Sequence, residues 1–192
     1  MAMTIIVSGM AGSGQTTLAR MLAKRYGLKY ISGGDALKEF AAKKGYACSG
    51  AGWWETEEGI RFVEERIGNP AFDKEVDRCL KDKVGLGGFS ITSVTLPWLG
   101  VKGVKIWLSA TQDTRAERIM GRDKSSFENA LKAVKIRDVK NCELYKKMYG
   151  YVFGKDLDVF DLIVDTDDKS LAEIEKEIVE YIEKMGVKDS TP

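Results

Sequence analysis

The sequence predicts an α/β protein in which helices cover both faces of a parallel β-sheet. Short runs of apolar and β-branched residues alternate with longer helical segments, which is the pattern of parallel α/β folds. The first of these runs leads into a glycine-rich loop and then a helix. A length of 192 residues fits one domain, and the chain contains no repeat, low-complexity segment or interdomain linker. We therefore expect residues 1–192 to form a single domain.

The first 45 residues contain two predicted strands and two predicted helices. Residues 3–8 (MTIIVS) are a β-branched apolar run that is typical of a buried strand. The next helix, at residues 16–26, has Leu18, Met21 and Leu22 on one face and ends at a glycine. The further predicted elements are a strand at 28–31 and a helix at 35–44.

The middle of the chain has a weaker pattern. Residues 46–68 are rich in glycine, include Trp53 and Trp54, and predict only a short helix at residues 60–67. The two tryptophans could stack on a nucleotide base, although packing in the core or at a hinge is the favoured interpretation. A heavily charged helix is predicted at residues 70–84.

The second half of the chain returns to alternating strands and helices. Its last helix begins at Ser170, which with Glu173 forms a capping-box pattern, and ends at Gly186. The other predicted elements are strands at residues 89–95, 103–109 and 160–166 and helices at residues 111–122 and 126–149.

The composition excludes several kinds of chemistry. The chain has no histidine, which rules out a Ser-His-Asp triad, a Cys-His pair and a histidine-bearing zinc site. Its 30 basic and 29 acidic residues give a net charge of +1, which argues against a partner that is a nucleic-acid polymer. An enzyme of this composition would depend on carboxylates, hydroxyls, backbone groups and the placement of charge.

The cysteines and the apolar segments indicate where the protein works. Cys48, Cys79 and Cys142 are odd in number and lack CxxC spacing, which favours a reducing compartment. The N-terminal residues have no basic region before a short apolar run, and no stretch approaches the roughly 18 apolar residues of a membrane span. We expect a cytoplasmic protein with no membrane partner.

The loop after the first strand carries the clearest functional signal. Its residues GMAGSGQT fit the pattern G-x-x-x-x-G-K-[ST] except at the lysine. Glycines in such a loop leave backbone N–H groups free to bind phosphate, and the following helix adds its partial positive charge. The alternative, a glycine-rich turn that binds nothing, is disfavoured by the loop's length and its position between a strand and a helix. The predicted nucleotide-binding residues of this P-loop are Gly9, Gly12, Ser13, Gly14, Gln15, Thr16 and Thr17.

Two residues of the loop have distinct chemistry. Thr16 is placed to bind Mg²⁺ together with the nucleotide phosphates. Gln15 replaces the lysine that would bridge those phosphates, and its side chain can offer only neutral N–H groups. Losing a hydrogen bond from a charged group costs about 1.5–3 kcal/mol, so fast transfer would need a cation from elsewhere.

The order of motifs over about residues 4–185 resembles nucleoside monophosphate kinases, and most closely the archaeal cytidylate kinases. The segments that carry the resemblance are SGMAGSGQTTLARMLAKRYGL, YISGGDALKEFAAKKG, NPAFDKEVDR, VKIWLSATQDTRAERIMGRD, IRDVKNCELYKKMYG and DVFDLIVDT. It implies a three-layer P-loop fold with a five-stranded parallel sheet in the order 2-3-1-4-5. It also implies phosphoryl transfer from ATP, with Mg²⁺, to CMP or dCMP. Separately, we expect a monomer.

The resemblance also implies two insertions, an acceptor-binding insertion at residues 34–84 and a lid at residues 122–148. In the first, Asp35 opens the acceptor site and Lys38 stands where an arginine usually binds the acceptor phosphate. Asp73, Asp77 and Arg78 match a pattern of carboxylates followed by arginine that could recognise the edge of cytosine. A solvated charged face is an equally supported interpretation of these three residues.

In the lid, the resemblance implies that arginines close over the phosphates and stabilise the transferring group. The expected catalytic residues are Arg118, Arg122 and Arg137. Arg115 shares a helical face with the first two and is as readily structural, and Lys146 is a weaker candidate. A mixed surface helix is the alternative interpretation.

Two further positions depart from the family pattern. Residues 93–98 carry no charged side chain where an arginine usually follows the third strand, and Asn141 and Cys142 replace more charged residues. Three hypotheses remain open: an active nucleoside monophosphate kinase, a nucleotide-binding module that has lost catalysis, and a kinase of another small molecule.

Overall fold

The computed structural model describes residues 3–48, 50–69 and 71–186. Within them, five strands form one parallel sheet in the order β2-β3-β1-β4-β5, which confirms the expected fold and strand order. The strands are β1 (Thr4–Gly9), β2 (Lys29–Ser32), β3 (Phe89–Thr92), β4 (Val104–Ser109) and β5 (Leu162–Asp165).

Helices connect the strands and cover the sheet. They are α1 (Gln15–Arg25), α2 (Gly33–Lys43), α3 (Glu57–Gly68), α4 (Ala71–Leu86), α5 (Gln112–Asp123), α6 (Phe127–Tyr149) and α7 (Leu171–Lys184). Two 3₁₀ turns, Ala51–Glu55 and Leu96–Leu99, were not predicted. In the described part of the chain, no helix combines the length and the apolar character that crossing a membrane requires.

The central strand β1 contributes to two hydrophobic cores, one on each face of the sheet. Ile5 and Val7 pack with α1 and α7 on one face, whereas Ile6 packs with α2, α4 and β3 on the other. Successive side chains of a strand point to opposite faces, so a strand covered on both faces carries consecutive apolar residues, here Ile5, Ile6 and Val7. All six residues of β1 are accordingly buried.

Strand β3 is shorter than the predicted 89–95 because hydroxyl groups turn the chain away from the sheet. The N–H of Ser93 still donates to the carbonyl of Val7, 3.2 Å away. The side-chain oxygen of Ser93 then accepts the N–H groups of Thr95 and Leu96, which lead the chain into the second 3₁₀ turn. The Ser93 side chain binds backbone N–H groups that would otherwise pair with a neighbouring strand, so β3 ends early.

Side-chain caps explain why two helices begin earlier than predicted. Helix α3 begins at Glu57, three residues before the prediction, because the Thr56 hydroxyl accepts the N–H of Gly59. Helix α2 begins at Gly33 because the Ser32 hydroxyl accepts the N–H of Asp35. The capping box between Ser170 and Glu173 is confirmed.

Candidate active site

The carboxyl ends of β1, β2 and β3 open into one cavity of about 790 Å³. Open parallel sheets bind ligands at this edge, because the loops that follow neighbouring strands meet there. The glycine loop and α1 line one part of the cavity, α2 and α4 line another, and α5 and α6 contribute the remaining side chains. The cavity therefore joins the predicted nucleotide loop to the predicted acceptor region.

The shape of the glycine loop depends on close backbone approaches. A Cβ atom on Gly12 would lie 2.8 Å from the carbonyl oxygen of Arg115, so this position cannot carry a side chain without displacing α5. Gly14 precedes α1 with φ +98°, and no side chain caps the helix. The first N–H groups of α1 therefore remain available to an anion, which helix N-termini favour.

Gln15 is folded back onto its own loop. Its side-chain Nε2 donates to the carbonyl oxygens of Gly9 and Met10, at 2.6 and 3.2 Å. Because a side-chain amide has two N–H donors, both are used inside the loop. Gln15 thus holds the loop in shape but brings no positive charge to the cavity.

The two threonines after Gln15 are exposed and line the cavity. Among the described residues, no group of three or more His, Cys, Asp or Glu side chains could hold a metal ion. Mg²⁺ at kinase sites is commonly held by one or two protein oxygens together with the substrate phosphates. The hydroxyl of Thr16 at the start of α1 fits this arrangement, so the residues present are compatible with a magnesium–nucleotide complex.

Three predicted arginines line the cavity, each in a different bonding state. Arg118 donates from Nη2 to the carbonyl of Thr166 at 2.6 Å and from Nη1 to its hydroxyl at 3.0 Å. Arg122 forms two 2.7 Å hydrogen bonds to the neighbouring Asp123 and is exposed. The guanidinium carbon of Arg137 lies 5.5 Å from the centre of the Trp54 ring.

Arg115 has a structural role, which spacing alone left open. It is 3% exposed and forms a bidentate ion pair with Asp138, at 2.9 and 2.7 Å. Its Nη1 also donates to the carbonyl of Ala11 in the glycine loop at 3.2 Å. Arg115 therefore fastens the glycine loop to helix α6. Lys146 is exposed and does not line the cavity.

A buried ion pair lies on the α4 side of the cavity. Asp73 and Arg66 are both 2% exposed, and the two guanidinium nitrogens Nε and Nη2 of Arg66 donate to the Asp73 carboxylate. Nη2 also donates to the hydroxyl of Tyr145 at 3.3 Å. Burial alone would lower the pKa of Arg66, but the Asp73 carboxylate raises it overall, so the guanidinium stays charged.

Arg66 was not foreseen from the sequence. It occupies the apolar face of α3, three and four residues after Val63 and Phe62, which are both buried. A single arginine in that position, with a carboxylate seven residues later, was the available signal. Long charged side chains are almost never fully buried without a partner. The cavity also contains two other basic residues that were not singled out, Arg20 and Lys169.

Asp77 is held by two hydroxyl groups from distant parts of the chain. Thr95 donates to one carboxylate oxygen and Tyr149 donates to the other. Burial raises the pKa of Asp77, while these two donors act in the opposite direction. Tyr149 is at the end of α6, so its bond joins α6 to α4.

The remaining acceptor candidates occupy different positions. Lys38 lines the cavity and donates from Nζ to the carbonyl of Gly50 at 2.9 Å, and Asp35 is exposed at the cavity edge in the first turn of α2. Arg78 is exposed and does not line the cavity, so the structure does not bring it together with Asp73 and Asp77. Trp53 is buried in the core, whereas Trp54 lines the cavity.

Comparisons with known proteins agree with this geometry. The cytidylate kinase-like family matches residues 100–168, and an AAA domain family matches residues 8–97. A cytidylate kinase of Pyrococcus horikoshii is 33% identical over 189 residues, covering 96% of this chain and 92% of that protein.

Solved structures support the fold alone. An uncharacterized protein from Eubacterium ventriosum has a TM-score of 0.68 at 16% identity, covering 96% of this chain and 99% of that chain. A shikimate kinase from Acinetobacter baumannii in complex with shikimate has a TM-score of 0.59 at 15% identity, covering 98% and 97%. The fold and the glycine loop, together with the kinase relatives, define a P-loop kinase. More narrowly, the chain belongs to the cytidylate kinase family.

Proposed function

We propose that the protein transfers the γ-phosphate of ATP to CMP or dCMP. The observation that carries this proposal is the single cavity that contains both the glycine loop and the buried carboxylates of α4. A kinase needs its donor and acceptor in one water-restricted space, because positioning and electrostatic stabilisation supply most of the catalysis of phosphoryl transfer. The family membership supports the choice of a cytidine nucleotide as acceptor.

On the donor side, the backbone N–H groups of the glycine loop would bind the ATP phosphates. The hydroxyl of Thr16 would hold Mg²⁺, which when bound neutralises charge on the phosphates. Thr17 lies beside it on the cavity wall. Gln15 would maintain the loop through its bonds to Gly9 and Met10.

The charge that a P-loop lysine would supply would then come from arginines. Arg118, Arg122 and Arg137 line the same cavity, and together they would stabilise the oxygens of the transferring phosphoryl group. Arg122 is exposed and paired with Asp123, so it can exchange this partner for a phosphate. No titrating base is required, which agrees with a chain that has no histidine.

On the acceptor side, Lys38 and the N-terminal turn of α2 with Asp35 would place the nucleotide. The buried pair of Arg66 and Asp73, with Asp77 beside it, would face the base and offer both donors and acceptors to its polar edge. Cytosine presents an amine donor next to ring acceptors, which matches such a mixed set.

A turnover panel tests the proposal. ADP release would be measured with ATP, Mg²⁺ and, in turn, CMP, dCMP, UMP, AMP and a shikimate-like acid. We expect the highest kcat/KM with CMP or dCMP. A Lys81→Ala variant, altered at an exposed position of α4 outside the cavity, should retain that activity. ADP release no greater than without acceptor, for every compound, would refute the proposal.

A second candidate is a nucleotide-binding module that has lost catalysis. The observation that favours it is Gln15, whose amide donates only to loop carbonyls and leaves the donor site without a loop cation. A module of this kind would be stabilised by ATP in a thermal unfolding experiment without turning over any acceptor. Stabilisation by ATP together with saturable ADP release would exclude it.

A further inference from the structure

The two adjacent tryptophans of the first 3₁₀ turn have different environments. Trp53 is 2% exposed and packs in an apolar cluster with Ala41, Phe62 and Phe72. Trp54 is only partly buried and lines the cavity. The indole of Trp54 is therefore within reach of a ligand, whereas that of Trp53 is not.

The core behind Trp54 holds its ring in place. The ring centre lies 4.9 Å from that of Trp53, with the planes at 64°, and 6.2 Å from that of Phe62. Edge and tilted contacts of this kind are favourable for aromatic pairs. A ring held in this way can receive a planar ligand without first losing much side-chain freedom.

The groups around Trp54 suit a planar, polar heterocycle. The guanidinium carbon of Arg66 lies 5.9 Å from the Trp54 ring centre, and Asp73, the partner of Arg66, also lines the cavity. On the side of α2, the Trp54 Nε1 lies near Gly34, where an added Cβ atom would be at an ordinary contact distance of 3.8 Å. The Trp54 ring thus lies beside the charged groups of Arg66 and Asp73 in the same cavity.

A second guanidinium lies over the same ring. The guanidinium carbon of Arg137, on α6, is 5.5 Å from the ring centre, within the range of a cation–π contact. Arg137 is also one of the arginines expected to act on the transferring phosphate. To bind a phosphate oxygen, the Arg137 guanidinium would have to give up its position over the indole face.

We propose that Trp54 is the stacking surface for the base of the acceptor nucleotide, and that the base displaces Arg137 toward the phosphates. Binding of the acceptor would in this way deliver a catalytic cation to the reaction centre. This inference rests on the proposed function, since it assigns the base of that acceptor to a residue of this chain. The cation–π contact that Arg137 would give up joins two partly buried side chains, and a contact of this kind is weaker than the stacking that would replace it.

The stacking is tested by calorimetric titration of wild type, Trp54→Leu and Trp54→Phe with CMP and with ribose 5-phosphate, which has no base. Base stacking predicts that Trp54→Leu raises the Kd for CMP roughly 5- to 100-fold. The Kd for ribose 5-phosphate should change less than about twofold, and Trp54→Phe should recover most of the affinity for CMP because it retains a ring. The thermal midpoint of each variant verifies that it folds.

The same titrations can be followed by tryptophan fluorescence. We expect CMP to quench the emission of wild type and of Trp98→Phe, whose tryptophan lies outside the cavity, but not that of Trp54→Phe. Loss of affinity for both ligands in Trp54→Leu would show a structural role and overturn the proposal. Unchanged CMP affinity in Trp54→Leu, with turnover intact, would overturn the stacking while leaving the proposed function in place. No binding and no turnover of any monophosphate by wild type would refute both.

The displacement of Arg137 has its own readout. Cytidine has the base but no phosphate, so in wild type it must displace Arg137 without offering the guanidinium a new partner. We expect Arg137→Ala to bind cytidine about two- to fivefold more tightly than wild type, because the competing cation is removed. The same variant should lose turnover with CMP by about 100-fold or more. Weaker binding of cytidine by Arg137→Ala would overturn the displacement.

Discussion

Replacing Gln15 by lysine tests whether the glycine loop lacks only its charge. In the present loop, both N–H donors of the Gln15 amide are bound to the carbonyls of Gly9 and Met10. An ammonium group has three donors, so Gln15→Lys can keep two bonds to the loop and direct the third to a phosphate oxygen. The cavity already holds Arg118, Arg122 and Arg137, so the new charge would join three arginines that we propose to act on the transferring phosphate.

The size of the effect follows from that single added bond. A hydrogen bond between charged partners contributes about 1.5–3 kcal/mol, which is about 10- to 150-fold when it strengthens in the transition state. The opposite variant, Gln15→Met, has a similar length but no donor. It loses two neutral hydrogen bonds within the loop, and we expect ATP to bind about 2- to 10-fold more weakly.

The assay is steady-state ADP release under saturating Mg²⁺, with kcat and KM for ATP and for CMP determined separately. A matched control, Asn129→Lys, adds the same charge at an exposed position of α6 outside the cavity. We expect Gln15→Lys to raise kcat, with a smaller change in the KM for CMP, and Asn129→Lys to behave like wild type.

Two results would contradict this reasoning. A change of less than twofold in kcat/KM for Gln15→Lys would mean that the donor site lacks more than the loop cation, as the nucleotide-binding module requires. An equal rise in Asn129→Lys would attribute the effect to overall charge rather than to the loop.

Other predictions concern the residues of α3 and α4 near the proposed acceptor site. Replacing either partner of the buried pair, as Arg66→Met or Asp73→Leu, should lower the free energy of unfolding by about 3–5 kcal/mol. The double variant should lose much less than the sum of the two single losses. Additive losses in denaturant titrations would show that the two residues are not coupled. Burial raises the pKa of Asp77, so the folded state binds more protons and stability falls as pH rises from about 3.9 through the raised pKa. Asp77→Asn should remove this dependence, and equal pH profiles of unfolding for the two proteins would contradict it. Arg78 is exposed outside the cavity, so Arg78→Ala should change the KM for CMP less than twofold, and a tenfold increase would show that Arg78 reaches the acceptor.

Much of the fold could be predicted because its signals are local. Strand β1 carries the consecutive apolar residues Ile5, Ile6 and Val7, and α7 carries a capping box at Ser170. Both features depend only on residues close together in the chain. The glycine loop is equally local, since Gly14 must adopt a positive φ directly before α1. The order of the strands is not a local property, and its expectation came from the family resemblance.

The spacing of arginines predicted a shared face but not a shared role. Arg115, Arg118 and Arg122 follow one another along α5 with helical periodicity. Yet Arg115 is buried against Asp138, 23 residues away, whereas the other two line the cavity. The helical repeat defines which residues lie on one side of α5. The neighbouring helix α6 determines which of these side chains is buried in an ion pair and which remain in the cavity.

The sequence by itself determined an α/β domain with a phosphate-binding loop whose lysine is replaced by Gln15, because periodicity and turn chemistry act over a few residues. Only the tertiary structure decided which charges are already paired. It joined Asp73 to Arg66 and placed Thr95 and Tyr149 on Asp77, residues 18 and 72 positions away from that carboxylate. A buried charge is stable only next to a compensating partner, and that partner can come from any part of the chain that folding brings close.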